Sequence, residues 1–161
     1  PFYQMGKLIY YTTRRFINQG PKFKNPNIED FGIGKSSIIY NIDALAIYRK
    51  VRVVESITNA LTLDDKAIAI DGKIISDYQL SCIIRSPVKA VEIILDRDAY
   101  SDALKMGLKL AYHKKIKIVK MPTGDDVNTI GKKDTLRVIK NSGWQTYRDI
   151  YKQHINYGKN P

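Results

Sequence analysis

Cysteine is almost missing from this 161-residue chain. Cys82 stands alone, which excludes a disulfide framework and a cysteine-rich zinc site and points to a reducing compartment. Histidine is scarce as well. His113 lies in a cationic turn and His154 near the tail, neither with a partner at metal-ligand spacing, so no zinc site is expected in this chain. Long apolar runs are lacking, and the first residues do not read as a signal peptide, so no membrane partner is expected. The start at Pro1 suggests a piece of a longer protein.

Acids are outnumbered, 16 against 27 Lys and Arg, for a formal net charge of +11. The imbalance is not uniform. Residues 1–50 hold 8 bases and 3 acids, residues 51–131 hold 12 and 11, and residues 132–161 hold 7 and 2. A balanced middle between cationic flanks suggests an acidic site on a core, with basic segments that attract a polyanion such as nucleic acid.

Four short runs rich in β-branched residues follow residue 50: VRVVE (51–55), AIAI (67–70), AVEIIL (90–95) and IKIVK (116–120). They read as strands. Between them the clearest helix is 99–112, where Ala99, Ala103, Met106 and Leu110 share a face; Ser76 is placed to cap another that Pro87 ends. Alternating strands and helices predict an α/β fold, a mostly parallel sheet flanked by helices. Before it, GKLIYYTTRRF (6–16) reads as a strand or hairpin arm, 18–27 as a turn-rich loop, and SSIIYNIDALAIYRK (36–50) as a short strand leading into a short helix. After 131, two short helices broken at Ser142-Gly143 are expected. The division is therefore a basic α+β lead-in (1–50), a sheet domain (51–131) and a basic helical extension (132–161).

Ligands of parallel α/β sheets bind beyond the carboxyl ends of the strands. Glu55 closes the first strand, Asp96 and Asp98 close the third, and Asp125, Asp126 and Asn128 follow the fourth. If the backbone stays extended through Asp96-Arg97-Asp98, alternation sends both carboxyls the same way. Taken singly, each acid is explained by helix capping or solvation. Three clusters behind three strands make accident the weaker reading, and hard oxygen ligands in this arrangement suit Mg²⁺ or Mn²⁺.

These residues resemble the Toprim domain, and specifically the catalytic core of bacterial and phage DnaG-type DNA primases. The family's Glu-Gly-x-x-Asp-Ala, Asp-x-Asp and Leu-Pro-x-Gly-x-Asp-Pro-Asn/Asp patterns are approached by ESITNAL (55–61), LDRDAY (95–100) and MPTGDDVNTIG (121–131), with IDGKIISDYQL (70–80) between them resembling a Gly-x-x-Leu-Ser segment. The lead-in follows as well, in GKLIYYTTRR (6–15), PKFKNP (21–26) and IIYNIDAL (38–45). The departures are Ser56, Asn59 and Ser101, where the family has Gly, Asp and Gly. Asn59 removes a negative charge from the rim but keeps a carbonyl oxygen.

The resemblance implies a nucleotidyltransferase that makes short RNA primers on a single-stranded DNA template from ribonucleoside triphosphates. It implies a catalytic Glu55, with Asp96 and Asp98 as catalytic metal ligands alongside Asp126, Asn128 and Asn59. Glu55 as ligand or as general base stays open. Arg14, Lys22, Lys24 and Lys35 fall where the family handles phosphates; Arg15 could join them in binding template or triphosphate, and Lys73 is a weaker candidate for the same task. Tyr10, Tyr11 and Tyr40 could stack on bases, although strand packing accounts for at least half of them. A replicative helicase would be met through regions outside this chain, in a bacterial or phage-infected cytoplasm. A Toprim nuclease and a non-catalytic nucleic-acid-binding remnant are the alternatives.

Overall fold

The computed structural model describes residues 1–15, 23–122 and 126–159. The lead-in begins with an antiparallel hairpin, Phe2–Gln4 (β1) and Lys7–Tyr10 (β2), turned at Met5 and Gly6 with φ of 50° and 75°. Two consecutive positive φ values match the twist of the flanking strands, and Gly6 adopts its own at no steric cost. Thr13–Arg14 (β3) pairs with Phe23–Lys24 (β4), so the predicted single arm is two separate ribbons. Helix Ile28–Phe31 (α1), a 3-10 turn at Lys35–Ser37 and helix Ala44–Ile47 (α2) complete this part. Phe2, Tyr10 and Ile38 form its small core, with Phe2 meeting Tyr10 and Tyr40 edge-on at 5.5 Å. Tyr10 and Tyr40 are thus packing residues, while Tyr11 remains exposed.

The predicted strands become Lys50–Val54 (β5), Ala67–Ala69 (β6), Ala90–Ile94 (β7) and Lys115–Ile118 (β8), with helices Ile57–Leu63 (α3), Asp77–Arg85 (α4) and Tyr100–Leu110 (α5) as the crossovers. Helices Val127–Asn141 (α6) and Tyr147–Lys159 (α7) follow. The sheet runs β6-β5-β7-β8 and is parallel throughout. Its faces are covered differently. Alternate strand residues Val51, Val53, Val91, Ile93, Ile116 and Ile118 face α4, α5 and α7, whereas Val54, Ala67, Ala69, Ile94 and Val119 face α3 and α6.

Local sequence explains where the elements start and stop. Ser76 accepts from Gln79 N at 3.1 Å while Gln79 Oε1 accepts from Ser76 N at 3.0 Å, a reciprocal cap worth about 1 kcal/mol. Pro87 lies just past Ser86, where α4 stops. Gly107 lets α5 lie close on β8, since a Cβ there would meet Ile118 Cδ1 at 2.6 Å. Both sheet edges are covered: Tyr40 bridges Ala69 on one side and Gln145 bridges Ile116 on the other.

Across the sheet centre, Arg52, Glu92 and Lys117 stand in register on neighbouring strands and are buried. Glu92 accepts from Arg52 Nε at 3.0 Å and lies 3.5 Å from Lys117 Nζ, while Arg52 also pairs with Asp64. Lys50 adds a third cation to Glu92 at 3.4 Å. Among the described residues no helix is long and apolar enough to cross a membrane.

Candidate metal and nucleotide site

The strand order reverses between β5 and β7: β5 connects outward to β6, and the chain then returns to the other side of β5 as β7. A crevice opens beyond the carboxyl ends at such a switch point. Glu55 directly follows β5 and Asp96 follows Leu95 at the end of β7, so the topology places both carboxylates at this crevice.

Ser56 caps α3 by accepting from Asn59 N at 3.2 Å, and this first turn carries Asn59 inward until it is 1% exposed. Asn59 Nδ2 donates to Asp96 Oδ1 at 3.1 Å. Two oxygens beside this contact, Glu55 Oε2 and Asn59 Oδ1, are buried without a hydrogen-bond partner. Burial pushes the Glu55 carboxyl up to about 7, helped by the Asp96 charge. Asp96 is raised too, by burial first and by Asp126 second. Crowded carboxylates whose charged forms are this costly call for a cation.

The expected extended path through Asp96-Arg97-Asp98 does not occur. A 3-10 turn at Arg97–Ala99 begins right after Asp96, because Ala99 N reaches back to Asp96 O at 2.9 Å. Alternation therefore does not align the two acids. Asp98 is exposed and ion-pairs with Lys73, whose hydrogen bond lowers its pKa, while Arg97 donates to Met121 O at 3.1 Å.

Asp126 Oδ1 caps α6, accepting from Thr129 N at 2.7 Å and Thr129 Oγ1 at 2.8 Å. Asn128 turns instead to Thr62 on α3, with 2.5 Å between Thr62 Oγ1 and Asn128 Oδ1. Among the described residues no three His, Cys, Asp or Glu side chains gather as a group that could hold a metal ion. The Glu55, Asn59 and Asp96 set reaches three donors by including an amide oxygen. All of its donors are hard oxygens and two of them are buried and unpartnered, which fits Mg²⁺ or Mn²⁺.

On the lead-in side, Lys35 pairs with Asp71 at 3.3 Å, and both line a cleft of about 170 Å³ together with Glu55, Thr12, Asn25 and Gly72. Lys35 and Lys73 share a second cleft of about 540 Å³. Arg14 and Lys24 lie on the exposed β3-β4 ribbon, Arg15 just after β3, and Lys22 and Asp125 lie outside the described residues. Asp71 was missed from the sequence, although the strand-end rule that selected Glu55 and Asp96 points to it equally, two residues past β6.

By sequence, no family model and no curated protein matches the chain. By structure, it superposes on a DnaG catalytic core with a TM-score of 0.76 at 18% identity, over 94% of this chain and 54% of that one. It matches the E. coli primase catalytic core with a TM-score of 0.70 at 19% identity, over 89% and 51% of the two chains. A DnaG primase catalytic domain bound to single-stranded DNA gives 0.68 at 19% identity, over 90% and 51%. The chain thus has the fold of the primase catalytic core and spans about half the length of those solved chains.

Proposed function

We propose that this chain is the catalytic portion of a DNA primase, extending short RNA primers on single-stranded DNA from ribonucleoside triphosphates in a bacterial or phage-infected cytoplasm. The observation that carries the reading is the pairing of Glu55 and Asp96 at the strand-order reversal, with the lead-in folded against the same rim through Lys35 and Asp71. The primase-core fold and the single-stranded DNA held by one solved neighbour support it. Residues 1–50, 51–131 and 132–161 act in this reading as a nucleic-acid-binding lead-in, the catalytic domain and an extension, and a helicase is met through regions outside the chain.

Primer extension brings a 3′-hydroxyl in line with an α-phosphate while charge builds on the phosphoryl oxygens and on pyrophosphate. Glu55, Asn59 and Asp96 would hold Mg²⁺ or Mn²⁺, with Asp98 and Asp126 at the margin. When bound, the ion supplies electrostatic stabilisation of that charge. Asn59 fixes the orientation of Asp96 by donating to it. Glu55 either ligates or accepts the proton of the attacking hydroxyl, and a pKa raised to about 7 suits the second task at neutral pH. Lys35 and Lys73 face the clefts beside these acids and would take triphosphate oxygens. Arg14, Arg15, Lys22 and Lys24 would hold the template backbone.

A second reading is a binding-only relative. It is favoured by Asn59 at a carboxylate position and by the absence of three gathered acids among the described residues. Titrating Mn²⁺ into the wild type and the Asp96→Ala/Asp98→Ala variant, then measuring single-stranded DNA binding and primer synthesis, separates the two. Mn²⁺ binding lost in the variant with DNA binding retained, and synthesis by the wild type alone, is expected. DNA binding with no Mn²⁺ binding by either protein overturns catalysis and leaves the binding-only relative.

A further inference from the structure

The rim divides into two halves with opposite needs. On one side Glu55 Oε2 and Asn59 Oδ1 are buried oxygens without a partner, next to Asp96. On the other, Asp98 has its side chain 69% exposed yet already carries a counter-charge, Lys73. The lysine side chain is itself 45% exposed, but the backbone that carries it is held. Its turn is anchored to the site, because Gly72 N donates to Glu55 O at 3.0 Å and Ile70 N to Val54 O at 3.2 Å. Asp71, in the same turn, is occupied by Lys35.

We propose that Lys73 is a built-in counter-cation of the rim: it reserves Asp98, so the free protein holds one divalent ion, at Glu55, Asn59 and Asp96. The inference rests on the cation-binding reading of this rim and assigns a positioning residue within it. Two features of the chain act together. Asn59 contributes an amide instead of a charge, and Lys73 neutralises Asp98, so among the described residues Glu55 and Asp96 beside the buried oxygens form no ion pair, although the Lys73 charge also acts on both. An ammonium on a side chain cannot leave with the solvent, and it repels a second divalent ion from Asp98.

Mn²⁺ binding followed by electron paramagnetic resonance, without nucleotide, tests this on the wild type, Lys73→Met and Lys73→Arg, with circular dichroism to confirm folding. The wild type is expected to bind one Mn²⁺. Lys73→Met is expected to bind a second ion, or the first about tenfold tighter, the order of effect of removing one like charge from beside a divalent ion at a solvated site. Lys73→Arg, which keeps the charge, should behave as the wild type. Unchanged number and affinity in Lys73→Met overturns the role of Lys73 while leaving the cation site standing. No Mn²⁺ binding by any of the three overturns the cation site and this inference with it.

Discussion

Asn59 Nδ2 donates to Asp96 Oδ1 across the gap between α3 and the end of β7, a contact of 3.1 Å between residues 37 apart in sequence. The amide thereby stabilises the ionised acid, which an aspartate at position 59 could not do. Its other end, Oδ1, is left buried and unpartnered.

Asn59→Asp should therefore lower the stability of the metal-free protein by about 1–3 kcal/mol, as a donor is replaced by a second buried carboxylate. The same variant should gain more from Mn²⁺ than the wild type gains. Thermal unfolding with and without Mn²⁺ reads both effects, and a variant as stable as the wild type without metal contradicts the assigned contact.

Glu55 makes stability depend on pH in a defined window. Its carboxyl has an ordinary pKa near 4.5 when unfolded and is pushed up to about 7 in the fold. Between these values the native state keeps a proton that the unfolded chain has released, so rising pH removes stability until the effect levels off above 7. Discounted for solvent screening, the loss is about 1–2 kcal/mol. In denaturant titrations of metal-free protein, Glu55→Gln should match the wild type near pH 4 and exceed it at pH 8; equal stability at both values refutes the shift. Mn²⁺ affinity should rise through the same window, because the ligand must be ionised.

Glu92 should tolerate truncation poorly. Glu92→Ala leaves the buried Arg52 and Lys117 without their shared carboxylate, at a cost of about 3–5 kcal/mol. Chemical denaturation measures it, and a loss below 1 kcal/mol would mean that Asp64 and solvent suffice for the two cations.

Gly131 interrupts α6 with φ of 76°. A Cβ there meets no atom within 4 Å, so the penalty for Gly131→Ala is conformational and about 1 kcal/mol. Gly131→Asn should cost as much, because ψ of 172° puts the residue outside the left-handed helical region that Asn tolerates, in a region open essentially only to glycine. Unfolding midpoints of both variants below that of the glycine protein, with no advantage for Asn, support the bend; a stabilised Ala variant would mean that the helix straightens.

Strand positions, their alternation and the cap at Ser76 were legible because each depends on neighbours a few residues away. The parallel sheet followed from alternating elements, and the strand-end rule led to Glu55 and Asp96. The same local reading failed at Asp98, where a 3-10 turn replaces the extended backbone, and at Asn128, which turns to Thr62 instead of the rim. The ion pairs Lys73–Asp98 and Lys35–Asp71 were not legible either, since each joins segments at least 25 residues apart.

What the sequence determined by itself is the set of elements and the acids behind them, since periodicity, capping and turn chemistry are short-range properties. Only the tertiary structure decided which donor meets which acid. Strand order β6-β5-β7-β8 brings Glu55 and Asp96 to one crevice, the pitch of α3 sends Asn59 inward, and the turn after β6 delivers Lys73 to Asp98. Coulomb and desolvation energies depend on distances through space, which the order of residues along the chain does not contain.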